Sequence, residues 1–256
     1  MADAFYVPSG DGFSSTDSTA GPWAPDAQHF GPPAALLTRE LEGCGDDGGA
    51  LARITVEILG PVPIAELRTG AQVDRPGKSV QLLSAELRTA DRAVARASAW
   101  RLASTDTSAQ ASGAAPALAP PQDGVPFGRP EGWSPGYIDA VEWCALSGSF
   151  QEPGPATVWA RQRIPLVSGE EPTPLQRLMT IADSASGVST WLDPTRFLFI
   201  NTELTVHVQR EPVGEWIGLD ARTVLGPNGT GTAVSVIHDE QGQVANSSQT
   251  LLVRPR

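Results

Sequence analysis

Lysine and cysteine are almost missing from this sequence of 256 residues. Lys78 is its one lysine, and together with the arginines it makes 18 basic residues against 29 acidic ones, a formal net charge of −11. This balance argues against binding along a nucleic acid, because neutralising phosphates requires a dense basic surface. Two cysteines, Cys44 and Cys144, are too few for a disulfide framework.

Histidines and long apolar runs are also scarce. The three histidines, His29, His207 and His238, have no histidine four residues away and no neighbouring cysteine, so their spacing predicts no metal site. No segment approaches the roughly 20 apolar residues that span a bilayer, and the first residues lack the basic and apolar regions of a signal peptide. We therefore expect a cytoplasmic protein with no membrane insertion.

A segment rich in Pro, Ala and Gly divides this globular chain into two halves. Hydrophobic residues make up 40% of the chain, with 7 Trp and 7 Phe, which is typical of a globular protein and not of a disordered one. Residues 104–136 are rich in Pro, Ala and Gly and predict an extended linker. Residues 1–21 are rich in Gly, Ser and Asp and predict a flexible segment. Residues 22–103 and 137–256 then form the two predicted domains.

Each half begins with a predicted helix. Gly31-Pro32-Pro33 opens an apolar stretch that ends near Gly43, and Pro suits a first helical turn because its missing N–H has no partner there anyway. Residues 173–183 begin Thr-Pro and place apolar side chains at helical spacing, with Thr173 as the N-cap.

Alternating strands follow both helices, and a shift of 150 positions relates them. It takes Ile54, Val56 and Ile58 to Leu204, Val206 and Val208. One helix followed by several antiparallel strands, repeated once, predicts an α+β fold in which a sheet wraps around each helix.

Several short motifs then carry a resemblance to a known family. They are Pro174–Leu178 with Asp183, Phe199–His207, Arg210–Trp216, Gly229-Thr230-Gly231, His238–Gly242 and Gln249. Through them the second half resembles the acyl-CoA thioesterase II–like family, in its bacterial thioesterase-like branch. The resemblance implies a double hotdog fold, with two helices each wrapped by an antiparallel sheet and the sheets joined into one. It also implies a hydrolase of acyl thioesters, acting in fatty acid metabolism.

The family resemblance implies a site in the second half. Asp183 matches the family's Asp and Gln249 its late-strand Gln, whereas the family's Thr position falls on Asn201, with Thr202 next to it. Asp183 would activate a water for direct attack on the thioester, and Gln249 with Asn201 or Thr202 would orient that water. Asn suits this role because its amide both donates and accepts hydrogen bonds. Backbone N–H groups near the helix would form the oxyanion hole.

The first half lacks these groups, so we expect one site per chain. The shift of 150 places Pro33, Leu51 and Ala99 at the positions of Asp183, Asn201 and Gln249. None of these three side chains can ionise or hold a water.

Ligand contacts outside this set remain open. Gly229 and Gly231 lie in a glycine-rich run that either cradles the phosphates of CoA or forms a hairpin turn, and the turn is the commoner structure. We expect no metal or redox cofactor, since CoA is part of the substrate. Joined hotdog sheets commonly associate through their outer faces, which leaves room for a homo-oligomer. The alternative function is a non-catalytic hotdog protein that binds an acyl thioester or lipid.

Overall fold

The computed structural model describes residues 2–22, 24–45 and 48–256. Its first half contains two short strands, a helix and four longer strands. Their bounds are β1 (Tyr6–Ser9), β2 (Gly12–Ser15), α1 (Gly31–Glu42), β3 (Gly49–Ile58), β4 (Glu66–Arg75), β5 (Val80–Arg88) and β6 (Ala93–Ala103).

The second half repeats this order after the short strand β7 (Val125–Phe127). Two strands again precede the helix, and the connection after the helix is longer. The bounds are β8 (Val141–Ser149), β9 (Glu152–Gln162), α2 (Pro174–Ala182), α3 (Ala185–Val188), β10 (Phe197–Asn201), β11 (Glu203–Val208), β12 (Trp216–Leu225), β13 (Thr230–Asp239) and β14 (Gly242–Pro255).

All these strands join one antiparallel sheet in the order β1-β2-β4-β5-β6-β3-β11-β14-β13-β12-β9-β8-β7, with β10 also paired to β14. The halves meet at β3 and β11, where Thr55 lies opposite Thr205 and Ile54 opposite Val206. The Thr55 and Thr205 hydroxyl oxygens are 3.1 Å apart. A local two-fold axis therefore passes between two residues 150 positions apart, which confirms the predicted shift in the strands.

The two helices pack together on one side of the sheet and run antiparallel. In α1, Leu36, Leu37 and Leu41 are completely buried, and the helix begins at the predicted Gly31-Pro32-Pro33. In α2, the Thr173 hydroxyl accepts the Gln176 N–H at 3.1 Å, which confirms the predicted N-cap. The double hotdog architecture is thus confirmed.

The segments on which composition predicts flexibility or a linker have defined contacts. Phe5, just before β1, and Tyr6, the first residue of β1, are fully buried, because their rings supply apolar area that Gly and Ser lack. Within residues 104–136, the Ala119 carbonyl accepts the indole N–H of Trp159 at 2.7 Å. In the ranges that the structure describes, no helix is long and apolar enough to cross a bilayer.

Candidate active site

The antiparallel helix pair brings the C-terminal end of α2 to the N-terminal end of α1. Asp183 follows the last residue of α2 and is 6% exposed. Its carboxylate accepts the backbone N–H groups of Phe30 and Gly31 at the start of α1. An anion is favourable there, because the first N–H groups of a helix lack partners within the helix and carry partial positive charge. The first half thus supplies part of the site that sequence reasoning placed in the second half.

Two predicted side chains hold the same carboxylate. Asn201 Nδ2 donates to Asp183 Oδ1 at 2.8 Å. Gln249 Nε2 donates to Asp183 Oδ1 at 3.2 Å and to the Asp183 carbonyl at 3.1 Å. Gln249 Oε1 in turn accepts the Ser186 N–H at 3.1 Å. Both ends of the Gln249 amide therefore have protein partners, and the group that it positions directly is Asp183.

His29 completes the cluster, and sequence reasoning missed it. Its Nδ1 lies 3.2 Å from Asp183 Oδ2 and accepts the Gly31 N–H at 3.1 Å. Its ring is stacked on Tyr137, with 3.8 Å between centroids and 8° between planes. The Tyr137 hydroxyl donates to the Thr180 carbonyl and lies 2.9 Å from Ser184 Oγ. In the sequence, His29 is marked only by its position two residues before the start of α1. That position points to the site only when the end of α2 is known to lie beside it.

A cavity of about 340 Å³ opens beside this cluster. Asp183, His29, Asn201 and Thr202 lie in its wall. Most of the remaining lining is apolar, with contributions from both halves of the chain. The larger apolar side chains in it are Phe30, Ile58, Val62, Trp133, Ile138, Phe150, Phe199 and Ile200. The site therefore combines one polar end with an apolar chamber, as small-molecule sites commonly do.

Burial controls the ionisation of the two titratable groups. Burial raises the pKa of Asp183 to about 6, although hydrogen bonds from Asn201, Phe30, Gln249 and Gly31 act in the opposite direction. Burial lowers the pKa of His29 to about 3. Both shifts disfavour the charged form, because a buried charge loses its hydration. Near neutral pH the pair consists of an ionised Asp183 and a neutral His29.

The raised pKa of Asp183 predicts the pH dependence of any reaction that needs its carboxylate. Below pH 6 the side chain gains a proton, so kcat/KM should fall as pH decreases through about 6 and level off above it. His29 and Asp183 are the titratable groups in the described cavity wall, and burial raises the pKa of Tyr137 far above this range. Rates measured from pH 4.5 to 8.5, with circular dichroism at each pH, test this. A flat profile through pH 6 contradicts it.

Of the other predicted residues, Thr202 lies in the cavity wall and the two glycines lie outside it. Thr202 lines the cavity, and its hydroxyl donates to the Thr250 carbonyl at 3.4 Å. Gly229 and Gly231 lie at the β12–β13 hairpin, where Gly229 has φ +79°, and neither is part of the described cavity wall. Their contact with phosphates stays a prediction. The oxyanion hole of backbone N–H groups also stays a prediction.

The helix ends correct one detail of the predicted repeat. By its contacts, the counterpart of Asp183 is Glu42 at the end of α1 and not Pro33. Thr173 Oγ1 donates to the Glu42 carboxylate at 2.8 Å, and Gln176 Nε2 donates to the same carboxylate at 2.6 Å. The shift of 150 fails here because the connection from α2 to β10 contains α3 and is longer than the connection from α1 to β3. Glu42 is not in the described cavity wall, so this second carboxylate ties two helices together.

Among residues 2–22, 24–45 and 48–256, no group of three or more His, Cys, Asp or Glu side chains is placed to hold a metal ion.

Family models match both halves of the chain. The model of the acyl-CoA thioesterase C-terminal domain matches residues 121–253, and that of the acyl-CoA thioesterase N-terminal domain matches residues 19–102. A search of curated proteins finds no significant match.

Solved structures with the same fold cover almost the whole chain. A hot dog fold protein of unknown function from Alicyclobacillus acidocaldarius has a TM-score of 0.77 at 15% identity, covering 98% of this chain and 97% of its own. An acyl-CoA thioesterase II from Mycobacterium marinum has a TM-score of 0.67 at 15% identity and covers 90% of both chains. The tesB protein of Mycobacterium avium subsp. paratuberculosis has a TM-score of 0.67 at 12% identity, with coverages of 98% and 96%. At these identities the likeness establishes the fold.

Proposed function

Because the chain belongs to the acyl-CoA thioesterase family, we propose that it hydrolyses an acyl-CoA by direct attack of water on the thioester carbonyl. CoA and a carboxylic acid are the products, and no cofactor takes part. The observation that carries this proposal is the buried Asp183 carboxylate at the polar end of an apolar cavity. A carboxylate with a pKa of about 6 is ionised at neutral pH and still basic enough to accept a proton.

The cavity suits an acyl group of short or medium length. Its volume of about 340 Å³ lies near the lower end of the roughly 300–1,000 Å³ usual for small-molecule sites. Apolar walls favour an alkyl chain over water, since burying each CH₂ contributes about 0.8 kcal/mol. An alkyl chain in this cavity supports the proposal that the reaction belongs to fatty acid metabolism.

In this proposal the polar residues have separate roles. Asp183 supplies the negative charge that makes the water nucleophilic. Gln249 and the N–H groups at the start of α1 hold that carboxylate in place. Asn201 donates to Asp183 through Nδ2, and its Oδ1 has no hydrogen-bond partner in the described part of the chain. That oxygen is free to accept from a water, with Thr202 beside it on the cavity wall.

Thiol release from a panel of acyl-CoAs tests the proposal. We expect release from short and medium chains, with the rate falling for long ones. The variant Gly187→Leu should lower release most for the longest accepted chain, because a Cβ at Gly187 lies 3.4 Å from the Phe150 ring and both residues line the cavity. Gly70→Leu is the matched control, since no atom lies within 4 Å of a Cβ there. Absence of release from every acyl-CoA contradicts the proposal.

One observation favours the alternative of a non-catalytic binding protein. The Asp183 carboxylate already accepts from Asn201, Gln249, Phe30 and Gly31 and contacts His29. A carboxylate offers about four lone-pair positions, so little capacity remains for a water. Tight binding of one acyl-CoA without thiol release identifies the binding function, and isothermal titration calorimetry on the same panel measures it.

A further inference from the structure

The cavity wall contains one side chain from the segment that joins the two halves. Trp133 lies in this segment and lines the cavity together with Phe150 of β8 and β9's connection. The two rings have 6.3 Å between their centroids and 44° between their planes. The other large apolar side chains of the described wall come from the two halves themselves, and residues 104–136 contribute only Trp133 to it.

Trp133 separates the cavity from solvent, whereas Phe150 is backed by the core. The Phe150 ring packs in a T-shaped arrangement on the buried ring of Trp143, with 4.9 Å between centroids. Trp133 is half-buried, and residues 131–132 and 134–135 on either side of it are exposed. The chain at Trp133 therefore has solvent on one side and the cavity on the other, with the indole as the wall between them.

Hydrogen bonds fix the backbone that carries this indole. The Arg129 guanidinium donates to the Trp133 carbonyl and to both oxygens of the Asp139 carboxylate, the latter at 3.0 and 3.2 Å. The Trp133 N–H donates to the Pro130 carbonyl at 3.2 Å. Trp133 thus has a defined position in a segment whose composition predicts a linker.

The chemistry of an acyl-CoA assigns this aromatic part of the wall to the acyl chain. In the proposed reaction the thioester carbonyl lies at Asp183, and the acyl chain and the pantetheine arm extend away from it. The amide groups of pantetheine would lose their hydrogen bonds to water against the Phe150 and Trp133 rings, which is unfavourable. An alkyl chain has no such groups and gains free energy from apolar contact. The two rings therefore suit the acyl chain.

We propose that Trp133 closes the acyl end of the cavity and sets the longest acyl chain that the protein accepts. The inference rests on the proposed hydrolysis and names the residue that determines its specificity. A chain that fits the cavity ends at the indole. A longer chain has to displace the indole or leave its last methylene groups in water.

The variant Trp133→Ala should shift the preference towards longer chains. Removing the indole opens the wall to solvent, so a longer chain passes Phe150 and buries further methylene groups. Since each buried CH₂ contributes about fourfold, we expect the ratio of kcat/KM for dodecanoyl-CoA to that for hexanoyl-CoA to rise by at least about tenfold. The kcat for hexanoyl-CoA should change little, because other residues hold Asp183.

A matched control and a milder variant make this test specific. Trp191→Ala should leave the length profile unchanged, because Trp191 is 52% exposed and is not part of the described cavity wall. Trp133→Phe keeps a smaller ring in the wall and should give a smaller shift in the same direction, also where the alanine variant does not fold.

Calorimetry with non-hydrolysable thioether analogues of the two acyl-CoAs measures the same selectivity without turnover. The dodecanoyl analogue should gain affinity in Trp133→Ala relative to the hexanoyl analogue. An unchanged length profile in the folded variants, or an equal loss for both chains, overturns the role of Trp133, and release by the unaltered protein then keeps the hydrolase function. Absence of release by the unaltered protein contradicts the hydrolase function, and the calorimetric shift still decides the role of Trp133.

Discussion

Replacing Asp183 with asparagine should lower kcat by roughly 10²–10⁴ while acyl-CoA still binds. The asparagine side chain has no negative charge to make water nucleophilic, and a general base usually contributes about 10²–10⁴ in rate. Apolar contacts of the acyl group lie elsewhere in the cavity, on residues such as Phe150 and Phe199. Binding should therefore change little. Thiol release and calorimetry with a non-hydrolysable thioether analogue of acyl-CoA measure the two effects.

The controls for this variant address folding and specificity. The NH₂ group of the asparagine is a donor and would face the N–H groups that now bond to Asp183. Because two donors repel each other, a thermal unfolding measurement must show that the variant is still folded. Asp91→Asn is the matched control, since Asp91 is exposed in the turn between β5 and β6. If Asp183→Asn keeps more than about a tenth of the kcat, Asp183 has no catalytic role.

Replacing Gly31 with alanine should destabilise the protein and also lower its activity. A Cβ at this position would lie 2.1 Å from the Thr180 carbonyl oxygen and 3.3 Å from His29 Nδ1. The first contact is with the backbone of α2, so the helices must move apart. Overpacking of this kind typically costs about 1–3 kcal/mol. At roughly 2–4 °C per kcal/mol, Tm should fall by several degrees.

The activity loss in this variant follows from the same displacement. Phe30 and Gly31 donate to Asp183 from the α1 side, so a shift of α1 loosens the carboxylate and moves His29 away from it. We expect a lower kcat even at temperatures where the protein is fully folded. Gly70→Ala, in open space on β4, should change neither Tm nor kcat. An unchanged Tm in Gly31→Ala would mean that the helices are less tightly packed than the structure has them.

Much of the fold could be predicted because its signals are local. Pro at a helix start, leucines at helical spacing and alternating strands depend only on near neighbours in the chain. The shift of 150 was readable because both central strands keep the same alternation, and Thr55 facing Thr205 shows its physical basis. The resemblance likewise identified Asp183, Asn201 and Gln249, which do lie together.

The missed features depend on contacts between distant segments. His29 has no local signal that places it in the site, because it meets Asp183 only through the facing helix. Trp133 lies in a segment whose composition predicts a linker, yet it lines the cavity. Glu42 escaped the repeat analysis because the strand shift does not extend to the helices. A sequence pattern describes one helix or strand at a time, whereas this site forms where the end of α2 meets the start of α1.

The two-fold axis at Thr55 and Thr205 bears on how such a site can change over evolution. In a dimer of identical halves, any substitution at one helix junction would also occur at the other. A single chain removes this restriction. Here one junction has Asp183 at a cavity, and the other has Glu42 bonded to Thr173 and Gln176. Covalent fusion thus allows one helix junction to be selected for chemistry and the other for helix packing, and a substitution at one junction leaves the other unchanged.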